Sequence, residues 1–302
     1  MEFKLRPSSP YDFELSTKIF FSEKSIRIFE NNVFKQLITI NDKPVLIELK
    51  STGTVDEPEL ELCLKSDKDI YGEESHIALE TVKKIFNLDF NLEKFYDDVK
   101  SDDLVFKLTQ KLRGLKNPAT ASIFEALVEA IVEQQISLKA AHSIERKIIK
   151  KYGSTLNVGS HVYYAFPTPE QLNNASFDEL RGCGLTLRKT EYIKSISKEI
   201  ENGNLDLEKF KKYEDTDKII NELCEIRGIG LWTAEFVMLR GLNRLESLPA
   251  DDIGIKRIIS HYYCNDRKIS SEEVRKIAIN WGKWKGLAAF YLIIAEMLNI
   301  NI

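Results

Sequence analysis

The spacing of hydrophobic residues divides the chain into two parts. In residues 11–64, short aliphatic runs alternate with polar and turn-forming positions, which predicts an antiparallel sheet. The runs cover residues 34–40 (FKQLITI), 44–49 (PVLIEL) and 60–64 (LELCL). Asn41, Asp42 and Lys43 lie between the first two runs and are a candidate hairpin turn.

From about residue 75 the apolar residues recur at intervals of three and four, which predicts amphipathic helices that end at Gly, Pro or Asn. The predicted helices cover residues 77–86, 104–112, 123–136, 141–151, 176–180, 188–203, 216–225, 231–241, 252–262, 271–281 and 287–298. The pattern therefore predicts an α+β protein with no internal repeat. We expect a β-rich N-terminal domain over residues 1–100 and an all-helical body over residues 101–302, built as two lobes with a cleft between them.

One predicted turn between helices has the composition of an anion site. In residues 223–234 (LCEIRGIGLWTA), a helix ends, Arg227-Gly228-Ile229-Gly230 forms a tight turn, and a second helix begins. The free N–H groups and the dipole of that second helix attract an anion such as a DNA phosphate, and Ile229 is expected to fill the hairpin core. A G-x-G turn between two helices also occurs simply as a helix cap.

An acidic element follows in residues 247–257 (SLPADDIGIKR), where Pro249 stops the preceding segment and Asp251 or Asp252 opens a helix. At a helix N-terminus, backbone N–H groups and the dipole stabilise a carboxylate. Asp is also an ordinary capping residue, so this position alone does not define a site.

Several segments together resemble one family. Residues 226–241 (IRGIGLWTAEFVMLRG) followed by residues 248–257 (LPADDIGIKR) resemble the hairpin and catalytic-aspartate segment of the helix-hairpin-helix (HhH-GPD) DNA glycosylases, most of all the AlkA-type 3-methyladenine DNA glycosylase II family. Residues 126–141 (ALVEAIVEQQISLKAA), 166–172 (FPTPEQL) and 281–284 (WGKW) resemble further segments of that family in the same order. The resemblance covers residue 117 to the end.

The resemblance implies the following site. Asp252 matches the catalytic aspartate, whereas Asp251 is a neighbouring cap or solvated residue. Trp232 and Phe236 lie four residues apart on one helix face and match the base pocket, although both can equally be core aromatics. The family's aromatics near Ile293 and at Ile253 are aliphatic here, and Tyr291 is a candidate to fill that space.

The resemblance also implies the DNA contacts. Arg227, Gly228, Ile229 and Gly230 form the hairpin that binds the DNA backbone, and Gln135 with Ile136 are candidates for the wedge that enters the gap left by a flipped base. The alternative for the Gln134-Gln135 pair is a buried amide that caps the helix. Arg188 and Lys189 are further phosphate candidates or simply solvated charges.

Composition changes this interpretation little. The net charge of −4 argues weakly against a protein coated in nucleic acid, but a local basic face remains compatible with it. The four cysteines have no metal-ligand spacing and are expected to be free, buried thiols, and the four histidines share no ligand spacing either. Neither a metal nor a cofactor is expected. No apolar run approaches the ~20 residues of a membrane span, and the first residues have no apolar segment that would suggest secretion.

The function predicted from these residues is removal of alkylated bases of the 3-methyladenine type from duplex DNA by a monofunctional glycosylase. Position 232 lacks the lysine with which bifunctional relatives form a Schiff base, so lyase activity is not expected. The alternatives are a glycosylase for deaminated bases such as hypoxanthine and a non-catalytic protein that binds damaged DNA. We expect a cytoplasmic monomer, associated with the nucleoid if prokaryotic, whose partner is duplex DNA containing damaged bases.

Overall fold

The N-terminal region is a five-stranded antiparallel sheet with helices. The structure is a computed structural model that describes residues 1–18 and 26–301; residues 19–25 of the predicted β-rich segment and residue 302 lie outside the described residues. The sheet has the order β1-β5-β4-β3-β2. Its elements are β1 Glu2–Leu5, β2 Ile28–Glu30, β3 Val33–Ile40, β4 Lys43–Ser51 and β5 Leu60–Lys65, accompanied by helices α1 Phe13–Thr17 and α2 Gly72–Phe86.

The predicted hairpin turn is present between β3 and β4. Asn41 and Asp42 have φ values of 46° and 62°, and Ile40 pairs with Lys43, so the loop has two residues in the left-handed region. Such a loop matches the right-handed twist of the flanking strands, and Asn and Asp tolerate it well. The turn therefore sets the register of the longest strand pair.

The consecutive burial of Val45, Leu46 and Ile47 in β4 shows that both faces of the sheet are covered. Val45 and Ile47 pack with residues of α2 on one face. Leu46 packs on the other face against a two-stranded sheet, β6 Thr155–Val158 and β7 His161–Tyr164, which the hydrophobic pattern did not predict. A parallel bridge between Leu37 and Ala165 joins the two sheets.

The remainder of the chain is helical apart from β6 and β7. The helices are α3 Glu93–Asp98, α4 Asp103–Lys111, α5 Ile123–Glu133, α6 Leu138–Tyr152, α7 Pro169–Asn174, α8 Phe177–Gly182, α9 Leu187–Glu201, α10 Thr216–Glu225, α11 Leu231–Gly241, α12 Ile253–Cys264, α13 Ser271–Ala278 and α14 Lys285–Met297. Two 3-10 segments cover Glu208–Lys212 and Ile279–Trp284. The helix predicted for residues 123–136 is too long, because α5 ends at Glu133.

The helical body contains two hydrophobic clusters, as a two-lobed body requires. One cluster unites apolar side chains of α5 to α11, and the other unites those of α3, α4 and α12 to α14. The chain passes from the first cluster to the second between the end of α11 and the start of α12, which is the segment that carries Asp252. The acidic element therefore lies where the lobes meet.

Several side-chain predictions can be compared with the structure. Trp281 and Trp284 are buried, and their indole N–H groups donate to Asp102 (2.9 Å) and Asp98 (2.8 Å), which confirms that they belong to the core. All four cysteines are free, but the expectation of burial holds only for Cys183: Cys63 and Cys264 are half-buried and Cys224 is exposed. The domain boundary at residue 100 stays a prediction.

Candidate active site

The turn between α10 and α11 requires glycine at its second position. Gly228 has φ +94°, and a Cβ there would lie 2.4 Å from the ring of Tyr192. Ile229 is buried in the same cluster as the inner faces of α5 and α11. This packing fixes the turn against the hydrophobic cluster of α5 and α11.

The first turn of α11 presents unpaired backbone donors to solvent. Gly230 is the N-cap residue. Among residues 1–18 and 26–301, no side chain caps this end, and nothing lies within 4 Å of the position that a Cβ would occupy. The first N–H groups of an α-helix have no partner within the helix, and they attract anions together with the helix dipole. The hairpin therefore has the uncapped helix N-terminus on which the predicted anion site depends.

The charged residues near the hairpin have different roles. The guanidinium of Arg227 is exposed, lies 3.0 Å from the Glu191 carboxylate and stands 5.8 Å from the centre of the Tyr192 ring. Lys189 points inward instead, and its Nζ donates to the carbonyls of Val132 (2.8 Å) and Gln134 (2.6 Å) at the end of α5. The hypothesis that Lys189 contacts a phosphate is therefore wrong.

Asp252 is the N-cap residue of α12, and both of its carboxylate oxygens accept hydrogen bonds. Oδ1 accepts from the backbone N–H of Ile255 at 3.0 Å, and Oδ2 accepts from Nε1 of Trp232 at 3.2 Å. The first bond is the ordinary cap, whereas the second comes from the other lobe. The residue is half-buried, and the two hydrogen bonds hold its carboxylate in place.

Trp232 and Phe236 form an aromatic surface beside this carboxylate. Their ring centroids are 5.6 Å apart, the planes are tilted by 36°, and both side chains are half-exposed at the edge of the hydrophobic cluster of α5 to α11. The structure thus brings together Asp252, Trp232 and Phe236, which the sequence analysis had selected as a group.

Tyr291 is not part of this group. Its side chain is fully buried in α14, its hydroxyl donates to the carbonyl of Leu115 at 2.8 Å, and its ring lies 5.1 Å from that of Phe95. Burial raises the pKa of the Tyr291 hydroxyl well above its ordinary value. The prediction of Tyr291 as a pocket residue is corrected accordingly, because this tyrosine belongs to the core of the second lobe.

The segment after α5 contacts the hairpin directly. Nε2 of Gln134 donates to the carbonyl of Gly228 at 3.0 Å and to Oγ1 of Thr233 at 3.1 Å. Gln135 follows with φ +57° and an exposed side chain, and Ile136 is 37% exposed. Gln134 is thus half-buried and its amide contacts the hairpin instead of capping α5, whereas the two wedge candidates that follow it are exposed.

These segments coincide with the part of the chain that a known family shares. A model of the HhH-GPD superfamily base excision DNA repair proteins matches residues 128–283, a little over half of the chain. The match includes the segment after α5, the hairpin and Asp252. The chain belongs to the HhH-GPD superfamily of base excision DNA repair proteins.

Relatives of this HhH-GPD protein match far beyond the shared segment. A DNA-3-methyladenine glycosylase of Bacillus subtilis is 28% identical over 87% of this chain and 86% of its own length. A solved 3-methyladenine DNA glycosylase from Archaeoglobus fulgidus superposes with a TM-score of 0.85 at 26% identity, over 98% of this chain and 99% of that one. The 3-methyladenine DNA glycosylase of Schizosaccharomyces pombe, solved with abasic DNA, superposes with a TM-score of 0.54 at 27% identity, over 66% and 94% of the two chains.

Helices α5 and α6 carry acidic residues that the sequence analysis did not select. Glu125, Glu129 and Glu133 lie four residues apart on α5, and Glu145 lies nearby on α6. Arg27 pairs with Glu125 at 2.8 Å. The signal that could have found them is the regular placement of acids in an otherwise apolar helix, where a charge is costly unless it is paired or protonated.

Within residues 1–18 and 26–301, no group of three or more His, Cys, Asp or Glu side chains is arranged to hold a metal ion. Across the same residues, none of the helices combines the length and the apolar character needed to span a membrane.

Proposed function

We propose that this HhH-GPD protein is a monofunctional DNA glycosylase that hydrolyses the bond between deoxyribose and an alkylated base of the 3-methyladenine type. The observation that carries the proposal is the position of the Asp252 carboxylate, which is fixed by donors from two helices beside the half-exposed rings of Trp232 and Phe236. The names of the Bacillus subtilis and Archaeoglobus fulgidus relatives support the substrate class.

Asp252 supplies the electrostatic part of the reaction. Breaking an N-glycosidic bond builds positive charge on the sugar, as in glycoside hydrolysis. A carboxylate that is already oriented stabilises this charge without rearranging during the reaction, and it can accept a hydrogen bond from the attacking water. The Trp232 N–H fixes Oδ2, so the carboxylate keeps one orientation while the bond breaks.

Trp232 and Phe236 supply the surface on which the base stacks. The target base must leave the duplex to reach Asp252, and stacking on aromatic rings compensates for part of the lost stacking in DNA. Alkylation of a ring nitrogen often leaves the base positively charged, and the faces of aromatic rings attract cations. Such a base is also a good leaving group, so one carboxylate is sufficient for its release.

The DNA contacts come from the hairpin and from the segment after α5. The N–H groups at residues 230–232 bind a backbone phosphate without reading sequence, and exposed Arg227 adds a positive charge. Gln135 and Ile136 occupy the gap left by the flipped nucleotide. We expect this binding to weaken steeply with salt, and we retain the predictions of a monomer and of a cytoplasmic location.

The absence of lyase activity follows from the residue at position 232. A lyase needs an amine there to attack the sugar, and this chain has the indole of Trp232, which donates to Asp252 instead. Incubation with damaged duplex DNA and borohydride should yield no covalent complex. A trapped complex would show that another amine of the chain acts as the nucleophile.

The experiment that tests the proposal is release of 3-methyladenine from methylated duplex DNA by the wild type and by Asp252→Asn. The variant should release base at least ~10²-fold more slowly, the scale on which one oriented group acts in a transition state, while its duplex affinity stays unchanged. Asp251→Asn is the matched control, because Asp251 is exposed and adjacent. Normal turnover by Asp252→Asn would refute the catalytic role. Failure of the wild type on methylated DNA would direct attention to hypoxanthine, and failure on both to a binding protein.

A further inference from the structure

A cavity lies where the N-terminal sheet meets the helical body. Its volume is about 540 Å³, which is within the range of small-molecule sites. Residues of β3, of the start of α5, of the start of α7 and of the end of α9 line it. The described residues of this lining include neither Asp252 nor Trp232 nor Phe236, so the cavity is separate from the site beside that carboxylate.

The side chain of Gln36, on β3, brings an unpaired amide to the wall of this cavity. The residue is 1% exposed, and its Oε1 is buried without a hydrogen-bond partner in residues 1–18 and 26–301. Thr39, on the same strand, also lines the cavity, and its Oγ1 is likewise buried and unpartnered in that part of the chain. A buried polar group without a partner destabilises the fold, so an amide kept there points to a ligand that donates a hydrogen bond to it.

The charged side chains that line the cavity are all acidic. Lys, Arg and His are absent from its described lining, whereas carboxylates come from the β3–β4 turn, from α5, α7 and α9, and from the 3-10 segment after α9. These acids are Asp42, Glu125, Glu170, Glu201 and Glu208. A cavity lined by charges of one sign concentrates ligands of the opposite sign. The ligand is therefore a cation.

Three of these carboxylates remain without a protein cation. Glu125 pairs with Arg27 at 2.8 Å and Glu208 pairs with Lys211, and the charge of buried Lys84 interacts with the same two acids. The other three are exposed and form no ion pair within the described part of the chain; they are Asp42, Glu170 and Glu201. The uncompensated charge thus lies on the exposed part of the lining, whereas the unpaired amide of Gln36 is buried.

The arrangement of the lining favours an extended organic cation over a metal ion. Among the described residues, no three or more His, Cys, Asp or Glu side chains converge in a way that could hold a metal. Apolar side chains complete the lining instead, among them Leu37, Phe124, Phe166 and Ile200. Apolar surface of this kind covers methylene groups, so the ligand has charged ends joined by an aliphatic chain.

We propose that this cavity binds a free linear aliphatic diamine or polyamine, with one ammonium group donating to Oε1 of Gln36 and another facing the exposed carboxylates of Glu170 and Glu201. A primary ammonium is all donor and has no acceptor, which matches a site that offers an amide oxygen, hydroxyls and carboxylates. The chain between the ammonium groups lies against the apolar lining. This site is independent of the proposed glycosylase function.

The test is isothermal titration calorimetry of the full chain without DNA, at constant ionic strength, with three ligands of similar length. These are 1,4-diaminobutane, n-butylamine and 1,4-butanediol, which carry two charges, one charge and none. One molecule of 1,4-diaminobutane should bind per chain. Because n-butylamine lacks the second ion pair, it should bind at least roughly tenfold more weakly, and 1,4-butanediol should not bind.

Two variants with matched controls locate the binding. Gln36→Met keeps the size of the side chain but removes the acceptor, so affinity for 1,4-diaminobutane should fall at least roughly tenfold, whereas Tm without ligand should not fall. Gln110→Met makes the same change at an exposed position and should keep the affinity. Glu201→Gln should weaken binding a few-fold, whereas Glu57→Gln, an exposed acid outside the cavity lining, should not.

The outcomes decide the proposal in either direction. The expected order of ligands with a loss confined to Gln36→Met and Glu201→Gln would support it. No binding of 1,4-diaminobutane, equal affinity for n-butylamine or 1,4-butanediol, or equal affinity of the wild type and Gln36→Met would overturn it. If Gln36→Met does not fold, the charge pair still decides, because equal effects of Glu201→Gln and Glu57→Gln would assign the binding to general surface charge and overturn the site.

Discussion

The hairpin before α11 and the aromatic surface beside Asp252 both use α11, but in different ways. At the hairpin, the surface is made of backbone N–H groups with glycine at positions 228 and 230. The second surface is made of the side chains of Trp232 and Phe236 with the carboxylate of Asp252. A backbone surface depends on conformation alone, whereas a side-chain surface changes with every substitution. The difference teaches that DNA binding and base release should be separable by mutation.

Gly228→Ala should have the largest effect, because it changes the backbone of the hairpin and leaves the side chains beside Asp252 in place. The new Cβ would collide with the Tyr192 ring at a positive φ, and strain of about 1–3 kcal/mol would displace the N–H groups that follow. Duplex affinity should fall roughly 10- to 100-fold for damaged and undamaged DNA alike, with the single-turnover rate at saturation unchanged. Fluorescence anisotropy and single-turnover assays measure the two effects.

Gly203→Ala is the matched control for the hairpin variant. Gly203 also has a positive φ, +74°, but no atom of the described part of the chain lies within 4 Å of its Cβ position. It should share the backbone strain without the effect on DNA affinity. An equal loss of affinity in both variants would assign the effect to general destabilisation rather than to the hairpin.

Trp232→Phe should slow base release and leave DNA affinity unchanged, which is the reverse of the hairpin variant, and its effect should be smaller. The ring remains for stacking, but the N–H that orients Oδ2 of Asp252 is lost. At 3.2 Å this bond is long, so it contributes about 1.5 kcal/mol, the low end for a hydrogen bond to a charged group. Base release should slow by roughly tenfold, whereas duplex affinity should stay the same. Trp284→Phe removes a similar N–H, the one to Asp98, from the core of the other lobe, and it should lower stability without slowing release. Slower release by both variants would contradict the specific role.

Gln135→Gly should have the smallest effect. It would test whether a side chain, and not only the backbone of the hairpin, contributes to DNA affinity. Glycine keeps the left-handed backbone at this position but removes the candidate wedge, so affinity for a duplex with a flipped nucleotide should fall by a few-fold. Asn tolerates the same backbone, and Gln135→Asn should retain most of the affinity. Unchanged binding by the glycine variant would leave Ile136 as the remaining wedge candidate.

The elements around the hairpin were predicted well because local chemistry determines them. The bounds of α10 and α11 agree with the periodicity to the residue, since glycines and the apolar stripe mark both ends. The position of Asp252 could also be predicted from the sequence, because Pro249 and an N-cap acid define the start of α12. These features depend on residues within a few positions of one another.

The errors concern features that depend on distant residues. Tyr291 lies in a helix with nine buried residues, Gly286 to Leu292 together with Ile294 and Ala295, and periodicity cannot tell which apolar face meets a pocket. The short strands β6 and β7 acquire their role from contact with β4, which the local pattern does not contain.

The side-chain amide of Gln134 has a geometric consequence. By binding the carbonyl of Gly228 and the hydroxyl of Thr233, it ties the end of α5 to the turn and to the start of α11. With the proposed roles, the phosphate-binding N–H groups and the wedge then stand at a constant separation. Phosphates recur at a regular interval along a strand, so this separation sets how many nucleotides lie between the held phosphate and the displaced base. The number of nucleotides between the bound phosphate and the displaced base would thus be fixed by the protein, whatever the DNA sequence.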